Sequence, residues 1–532
     1  MPPPYHGPMQ ASTGIRFAEM MAALSVATDF AMGQPVEHAL ASCVLAVRLG
    51  ARAGLSTAEL RDVYYQALLR YIGCNADTEG MAEAVGDEIA LRTDVVGIDA
   101  GDRVAILKLA LRHIRQGHPQ ASGFELMRTV VRGLATLGDL DVEVFPGHCE
   151  VAQRLGARLG FGAEFVRGLG QLYARWDGNG VPAVRGEAIT PAVRCVVLAQ
   201  DMVVLDRRQG PQAARAAATR RRATQYDPAL ADLFLRDAGT LLEEARRESR
   251  WETVLALEPG TPTELTEAQF DNACEVLADF ADIKSSWTLD HSHRVARCAA
   301  QAAREVGLPP ADCTLIRRAA LLHDVGRVGV SAGIWGKRAA LSESEREKMR
   351  LHAYYTQRVL ARSPALARLS EVASSAHERM TGDGYFRGTS SASLEPAARI
   401  LAAADVFAAL TEERPHRAAL KPDSAGHELQ AEARAGRLDG RAVEAVLAGA
   451  GLAVAPVRRA RPAGLSEREA EVLGLLARGN SNKQIARLLG VAPKTVDNQV
   501  QSIYAKAGVR TRAGATLFAM ENGLLLAPGR LR

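Results

Sequence analysis

"ALLHDVG", residues 320–326, and "ALLRYIG", residues 67–73, are one segment written twice, with His323-Asp324 in the later version and Arg70-Tyr71 in the earlier. Working outward, "EHALASCVLAVRLGARAGLSTAELRDVYYQALLRYIG" (37–73) lies without a gap over "DHSHRVARCAAQAAREVGLPPADCTLIRRAALLHDVG" (290–326), so that His38 falls on His291 and Gly54-Leu55 on Gly307-Leu308. After an insertion in the first copy a second block resumes. His148 falls on His352, Arg175 on Arg379, "DGNGVP" (177–182) on "TGDGYF" (381–386), and "PAVRCVVLA" on "PAARILAAA". Chance supplies one such match between Ala-rich segments; several in the same order mark an internal duplication.

Both copies read as helix. Apolar residues recur at helical spacing, aromatic content is only 5%, and no sustained alternation of β-branched residues appears, so the fold class is all-α. Pro and Gly clusters at 258–262 and 455–464 read as linkers. They divide the 532 residues into a first copy (1–255), a second copy (265–450), a linker (451–463) and a small C-terminal domain (464–532). No apolar run approaches the ~20 residues that span a bilayer, and "MPPPYHGPMQ" lacks the regions of a signal peptide, so the chain reads as cytoplasmic with no membrane partner. Seven scattered cysteines without a C-x-x-C pair fit a reducing compartment. The net charge of +4 is uneven: from Arg458 onward 13 Lys or Arg stand against 5 Asp or Glu, so only the tail is basic.

The chemistry lies in the second copy. Around the His323-Asp324 dyad stand His291, His352 and His377, and Asp405 follows in "ARILAAADVFAAL". Imidazole and carboxylate hold Fe, Mn or Zn, and a carboxylate can bridge two ions. Two ions about 3.5 to 4 Å apart can activate water and stabilise the leaving oxygen of a phosphodiester.

These residues resemble an HD-GYP domain, the helical branch of the HD phosphohydrolases that hydrolyses cyclic di-GMP. The signature is "LLHDVGRVGV"; "HERMTGDGY" sits where the family has its histidine pair and Gly-Tyr-Pro loop, and "ARILAAADVFAALTEERPHR" matches its metal Asp and Arg-Pro-x-Arg end. The resemblance implies one or two divalent ions, Fe or Mn, one held by His291, His323, Asp324 and Asp405 and a second by Asp324, His352 and His377. It also implies Asp324 and Arg327 as catalytic residues, and Arg379, Tyr385, Arg414 and Arg417 as contacts to a phosphorylated small molecule such as cyclic di-GMP. Departures are Ala376 for the first histidine of the pair, Thr381 and Phe386 in the loop, Ala408 for an acidic residue, and Arg327 for the usual Lys. In the first copy, Arg70-Tyr71 and Leu172-Tyr173 replace ligands; Arg stays protonated, so that copy reads as metal-free.

In the tail, Ser466 with Glu469 and Ser481 with Gln484 form two capping boxes ahead of apolar-periodic segments. Gly490 ends one helix and Pro493 opens the next, in which Val496, Val500 and Ile503 make the buried stripe. Lys494, Thr495, Asn498 and Gln499 then face outward, as in a helix-turn-helix. The segment is similar to the LuxR-type DNA-binding domain through "NKQIA" (482–486), Thr495-Val496, Lys506 and Arg512, with Asp497 and Gln499 as departures. The similarity implies double-stranded DNA as partner, contacted by Lys494, Thr495, Asn498, Gln499, Lys506 and Arg512, and a homodimer reading two half-sites. Three functions fit: a DNA-binding regulator whose duplicated region senses or hydrolyses a cyclic dinucleotide or related phosphoester, a metal-dependent phosphodiesterase with an accessory DNA-binding domain, and an inactive scaffold for protein partners.

Overall fold

The computed structural model describes residues 12–99, 102–117, 143–390, 393–453, 462–522 and 524. It divides into two compact units: residues 1–429 with 441–454, and residues 430–440 with 455–532. Much of the expected linker 451–463 lies outside the described residues.

The first unit contains both copies. It is helical apart from one small antiparallel sheet in which Ser12 pairs with Thr266 and Arg16 with Glu264. Each strand runs straight into a helix, Phe17–Ala31 in one copy and Glu267–Asp282 in the other. The Phe17–Ala31 helix is apolar on nearly all sides and buries Met20, Met21, Leu24 and Val26 completely, as a helix packed from several directions must. It touches helices of its own copy, the turn Val325–Gly329 and the helix Glu343–Leu360. The stretch 258–262 runs inside this unit, with Glu258 buried and accepting bonds from Tyr65 Oη (2.5 Å) and Arg16 Nη2 (2.6 Å).

The duplication is visible in backbone detail. Asp29 accepts the Ala39 amide at 3.1 Å and Asp282 accepts the Ser292 amide at 2.8 Å, each holding the start of the next helix. Glu37 and Asp290, immediately before those helices, are both left-handed (φ 74° and 63°), a conformation rare outside Gly. The glycine kept in "ALLRYIG" and "ALLHDVG" has a steric cause. A methyl group on Gly73 would collide with the carbonyl of His148, and one on Gly326 with that of His352. Both copies therefore need Gly to seat the helix that brings the downstream histidine inward.

In the second unit four helices, Glu467–Ala477, Asn482–Leu489, Pro493–Ala507 and Arg512–Glu521, enclose Val472, Leu473, Leu476, Ile485, Val496, Val500 and Ile503. Both capping boxes form, Gly490 is left-handed (φ 65°) and Pro493 starts its helix.

Candidate metal centre and DNA-contacting helix

Helix ends place half of the candidate ligands of the second copy. His291 opens the helix His291–Glu305, His323 caps Pro310–Leu322, and Asp324 begins the turn Val325–Gly329. His352 comes from Glu343–Leu360, Asp405 from Pro396–Thr411, and His377 from the loop after Ala367–Ala373. All six are buried.

Asp324 is the centre of the arrangement. Its Oδ2 lies 3.5 Å from His291 Nε2 and 3.2 Å from His323 Nε2; its Oδ1 lies 3.2 Å from His352 Nε2 and 3.6 Å from His377 Nε2. One carboxylate thus faces an imidazole pair with each oxygen. Asp405 adds Oδ1 to the first pair, 3.4 Å from His291 Nε2 and 3.7 Å from His323 Nε2. Its Oδ2 is 3.3 Å from His377 Nδ1.

The far sides of the rings fix their tautomers. His291 Nδ1 donates to Glu412 Oε2 (2.8 Å), His323 Nδ1 to the Ala320 carbonyl (2.7 Å) and His352 Nδ1 to the Met349 carbonyl (2.5 Å). Each Nε2 lone pair is then turned inward, the arrangement that metal-ligating histidines use. Arg414 Nη2 is also 3.3 Å from His291 Nδ1, but a guanidinium only donates; it bonds Glu412 at 2.9 Å, and the shorter charged contact decides the ring orientation.

A divalent cation fits this donor set on two observations. His323 Nε2 and Asp324 Oδ1 are buried with no hydrogen-bond partner. The Nε2 atoms of His352 and His377 are 2.7 Å apart, which needs a proton or a cation between two lone pairs. The groups His291/His323/Asp324 and Asp324/His352/His377 are each compact enough to hold an ion. Burial opposes the charge on Asp324 and Asp405, yet Arg327 and His323 beside the first, and His291, His323 and His377 beside the second, hold both carboxyls well below their usual range. Against the same burial, Asp324 and Asp405 favour positive charge at His323, whether a proton or a cation supplies it.

A cavity of about 750 Å³ opens over the centre, bordered by Arg327, Trp335, Lys337, Arg350, Tyr385 and Arg414. Arg327 bonds Asp324 and lies over the Trp335 ring at 4.8 Å, while its Nε and Nη1 are buried without partners. Tyr385 stacks on His377, centroids 5.0 Å apart. Of the other expected substrate contacts, Arg379 and Arg417 both border the cavity, but Arg417 spends its guanidinium on the carbonyls of Ala409, Leu410 and Glu412 at the end of the Asp405 helix. Sequence reasoning missed Glu412, Trp335 and Arg350. Only the "TEERP" context of Glu412 hinted at a role.

The matching place in the first copy is built differently. Arg70 stands for His323 and bonds Gln200, which stands for Asp405, at 2.9 Å. Tyr173 stands for His377, its hydroxyl 3.1 Å from His148 Nδ1.

In the second unit, Lys494, Thr495 and Asn498 are exposed on the helix Pro493–Ala507, and Gln499 is half-buried. Asp497 accepts from Asn482 Nδ2 at 2.6 Å. Lys506 is tied to Glu469 (2.7 Å), and Arg512 donates to the carbonyls of Leu476 and Asn480, so both are engaged within the domain.

Residues 275–442 match the HD domain family, and residues 463–519 match the luxR family of bacterial regulatory proteins. Over 415 residues the chain is 29% identical to the 3'3'-cGAMP-specific phosphodiesterase 3 of Vibrio cholerae, covering 77% of this chain and 89% of that one. The crystal structure of a cyclic GMP-AMP specific phosphodiesterase of V. cholerae superposes with a TM-score of 0.56 at 25% identity, over 83% of this chain and 99% of that chain. The tail is 42% identical over 84 residues to the DNA-binding transcriptional activator DevR/DosR of Mycobacterium tuberculosis, 16% of this chain and 38% of that protein. No helix among the described residues is long and apolar enough to cross a membrane.

Proposed function

We propose that this chain, an HD-domain protein ending in a LuxR-family DNA-binding domain, hydrolyses a cyclic dinucleotide at the Asp324 centre and acts as a regulator of transcription through its tail. The observation that carries the reading is the single buried carboxylate facing one imidazole pair with each oxygen, beneath a cavity bordered by cations. Its size falls within the range of ligand pockets, about 300–1,000 Å³.

His291, His323, Asp324 and Asp405 would hold one ion and Asp324, His352 and His377 the other, with Fe or Mn as the expected metals. Divalent ions held there supply Lewis-acid polarisation of a phosphodiester and a nucleophile at neutral pH. The chain's own residues do the rest. Arg327, which borders the cavity and whose Nε and Nη1 have no partner within the protein, grips a phosphate oxygen as a planar fork. Arg350 and Arg414 add positive charge at the rim, beside the rings of Trp335 and Tyr385, whose faces Arg327 and His377 partly cover. The outcome is opening of one phosphodiester to a linear dinucleotide.

The test is incubation of the purified protein with Mn²⁺ or Fe²⁺ and either cyclic di-GMP or 3'3'-cGAMP, with product followed by chromatography. Linear dinucleotide from wild type and none from Asp324→Asn is expected. Tight binding without turnover by wild type would replace hydrolysis by sensing, and neither would overturn the cyclic dinucleotide assignment. For the tail, the expectation is a homodimer on duplex DNA, read by gel-shift with the full-length protein.

A further inference from the structure

The place that lost its ligands in the first copy has become a different kind of pocket. A cavity of about 220 Å³ lies there, with Arg70, Tyr71, His148 and Tyr173 among its lining residues. Gln200, Asp201, Gln225 and Arg92 also border it, and most of the rest of the wall is apolar, made by residues such as Met81, Ala84, Leu91, Val95, Ile106 and Ile114.

The polar end carries a cation that lies over the rings of Tyr71 (5.5 Å) and Tyr173 (5.1 Å) but has no carboxylate partner. Arg70 is nine-tenths buried, and among the described residues no carboxylate lies within ion-pair distance of it. Its Nε donates to Gln200, a neutral acceptor, and its Nη1 has no partner. Beside it the hydroxyl of Tyr71, 5% exposed, is also buried without a partner. Asp201, the carboxylate nearest in the lining, is already taken by Tyr226 (2.7 Å), Gln225 (2.9 Å) and Arg221 (3.3 Å). A buried cation and an unsatisfied hydroxyl each cost free energy unless something accepts their protons. Two donors facing one apolar hole ask for one anionic acceptor on an apolar body.

We propose that the first copy binds a small apolar carboxylate here, its carboxylate on Arg70 and Tyr71 and its hydrocarbon part among the Met81, Leu91 and Ile114 side chains. Size sets the class. A 150 Å³ apolar cavity takes benzene, so 220 Å³ takes about nine non-hydrogen atoms, the scale of benzoate or octanoate. A cyclic dinucleotide is several times too large, and inorganic phosphate would leave the apolar wall uncovered. A metal is disfavoured because Arg70 stays protonated and both ring nitrogens of His148 already have partners, Tyr173 Oη at 3.1 Å and the Ala76 carbonyl at 3.3 Å.

The pocket is also wired to the other copy. The helix Glu88–Val95 contributes Leu91, Arg92 and Val95 to the cavity, and its first residue, Glu88, accepts from Lys284 Nζ (2.7 Å), Ser331 Oγ (2.6 Å) and the Ala332 amide (2.9 Å). A ligand that shifts this helix therefore moves groups packed next to the His323-Asp324 turn.

The experiment is calorimetric titration of the full-length protein with octanoate and benzoate, with octanamide and benzamide as neutral isosteres and with inorganic phosphate. One equivalent of carboxylate should bind, tighter than its amide, and phosphate should not bind at the same place. Arg70→Met should weaken the carboxylate about 30-fold or more, the effect of removing one partner of a buried charged hydrogen bond, and leave the amide unchanged. Ala84→Phe, which fills the apolar end and leaves Arg70 intact, should abolish both, and it decides the matter if Arg70→Met fails to fold. Carboxylate bound no tighter than amide, binding indifferent to Ala84→Phe, or phosphate competing with octanoate would each overturn the proposal.

Discussion

Glu412→Gln tests the metal centre without touching a ligand. In wild type the Glu412 carboxylate is buried and takes the Nδ1–H of His291 at 2.8 Å, making the ring a stronger donor at Nε2. Gln keeps the shape and can still accept that proton through its carbonyl oxygen, but it removes the negative charge. Loss of such an outer partner lowers metal affinity about 10 to 100-fold, or about 1.4 to 2.8 kcal/mol. The effect should be confined to one ion, because His291 faces Asp324 Oδ2 and Asp405 Oδ1, whereas His352 and His377 face Asp324 Oδ1. Titration of metal-free protein with Mn²⁺ against a competing chelator should show one affinity shifted and the other in place. Turnover at limiting metal should fall in parallel and recover with excess metal. Equal shifts of both affinities, or no shift, would refute the assignment of His291 as a ligand oriented by Glu412.

Asp324→Asn should lose both ions together, read by elemental analysis after dialysis, since the same carboxylate faces both imidazole pairs. Lys284→Met should cost about 3 to 5 kcal/mol, because it strands the buried Glu88 carboxylate without its cation; thermal unfolding would show it, and Glu88→Gln in the same chain should recover part of the loss. Lys494→Ala should flatten the log-log salt dependence of DNA binding by about 1, whereas Lys506→Ala should weaken the fold of the tail, its ammonium being held by Glu469. Burial opposes ionisation of Glu469, but Lys506, Ser502 and Ser466 outweigh it and hold its pKa down to about 2. Its folded pKa lies below the unfolded carboxylate value of ~4.3, so its contribution is complete above that value and disappears as pH falls toward about 2. Acid unfolding of the tail followed by circular dichroism should shift to higher pH in Lys506→Ala.

Much of the candidate metal centre was legible in the sequence because His and Asp are scarce in apolar helices, and a duplicated frame set them apart from the other copy. The outer residues were not legible. Glu412 looks like any surface carboxylate until the chain is folded, whereas Glu378 falls where the resembled family has its Glu, and only the fold shows that it shapes the loop after His377 by accepting the Arg387 and Thr389 amides at 2.8 Å. Helical periodicity turned Val496, Val500 and Ile503 inward as found, but it could not reveal that Lys506 meets Glu469 or that Arg512 meets carbonyls of another helix. The pairing of 12–16 with 264–266 and the Lys284–Glu88 bridge join residues too far apart for local patterns to register.

The same contrast explains why the first copy kept its frame while losing its ligands. Gly73, Asp29 and the left-handed Glu37 do for helix seating what Gly326, Asp282 and Asp290 do in the second copy, and all of them act through packing and backbone bonds. His323, Asp324 and Asp405 do nothing for packing that Arg70, Tyr71 and Gln200 cannot do. Ligands can therefore be replaced without unfolding the copy, but the frame cannot, because the Phe17–Ala31 helix is wedged against the Val325–Gly329 turn and Glu88 is buried on Lys284. Removing the first copy would expose that helix-facing surface of the second copy and leave Lys284, fully buried, without its carboxylate. The spoiled copy is thus half of the structure that holds Asp324 in place.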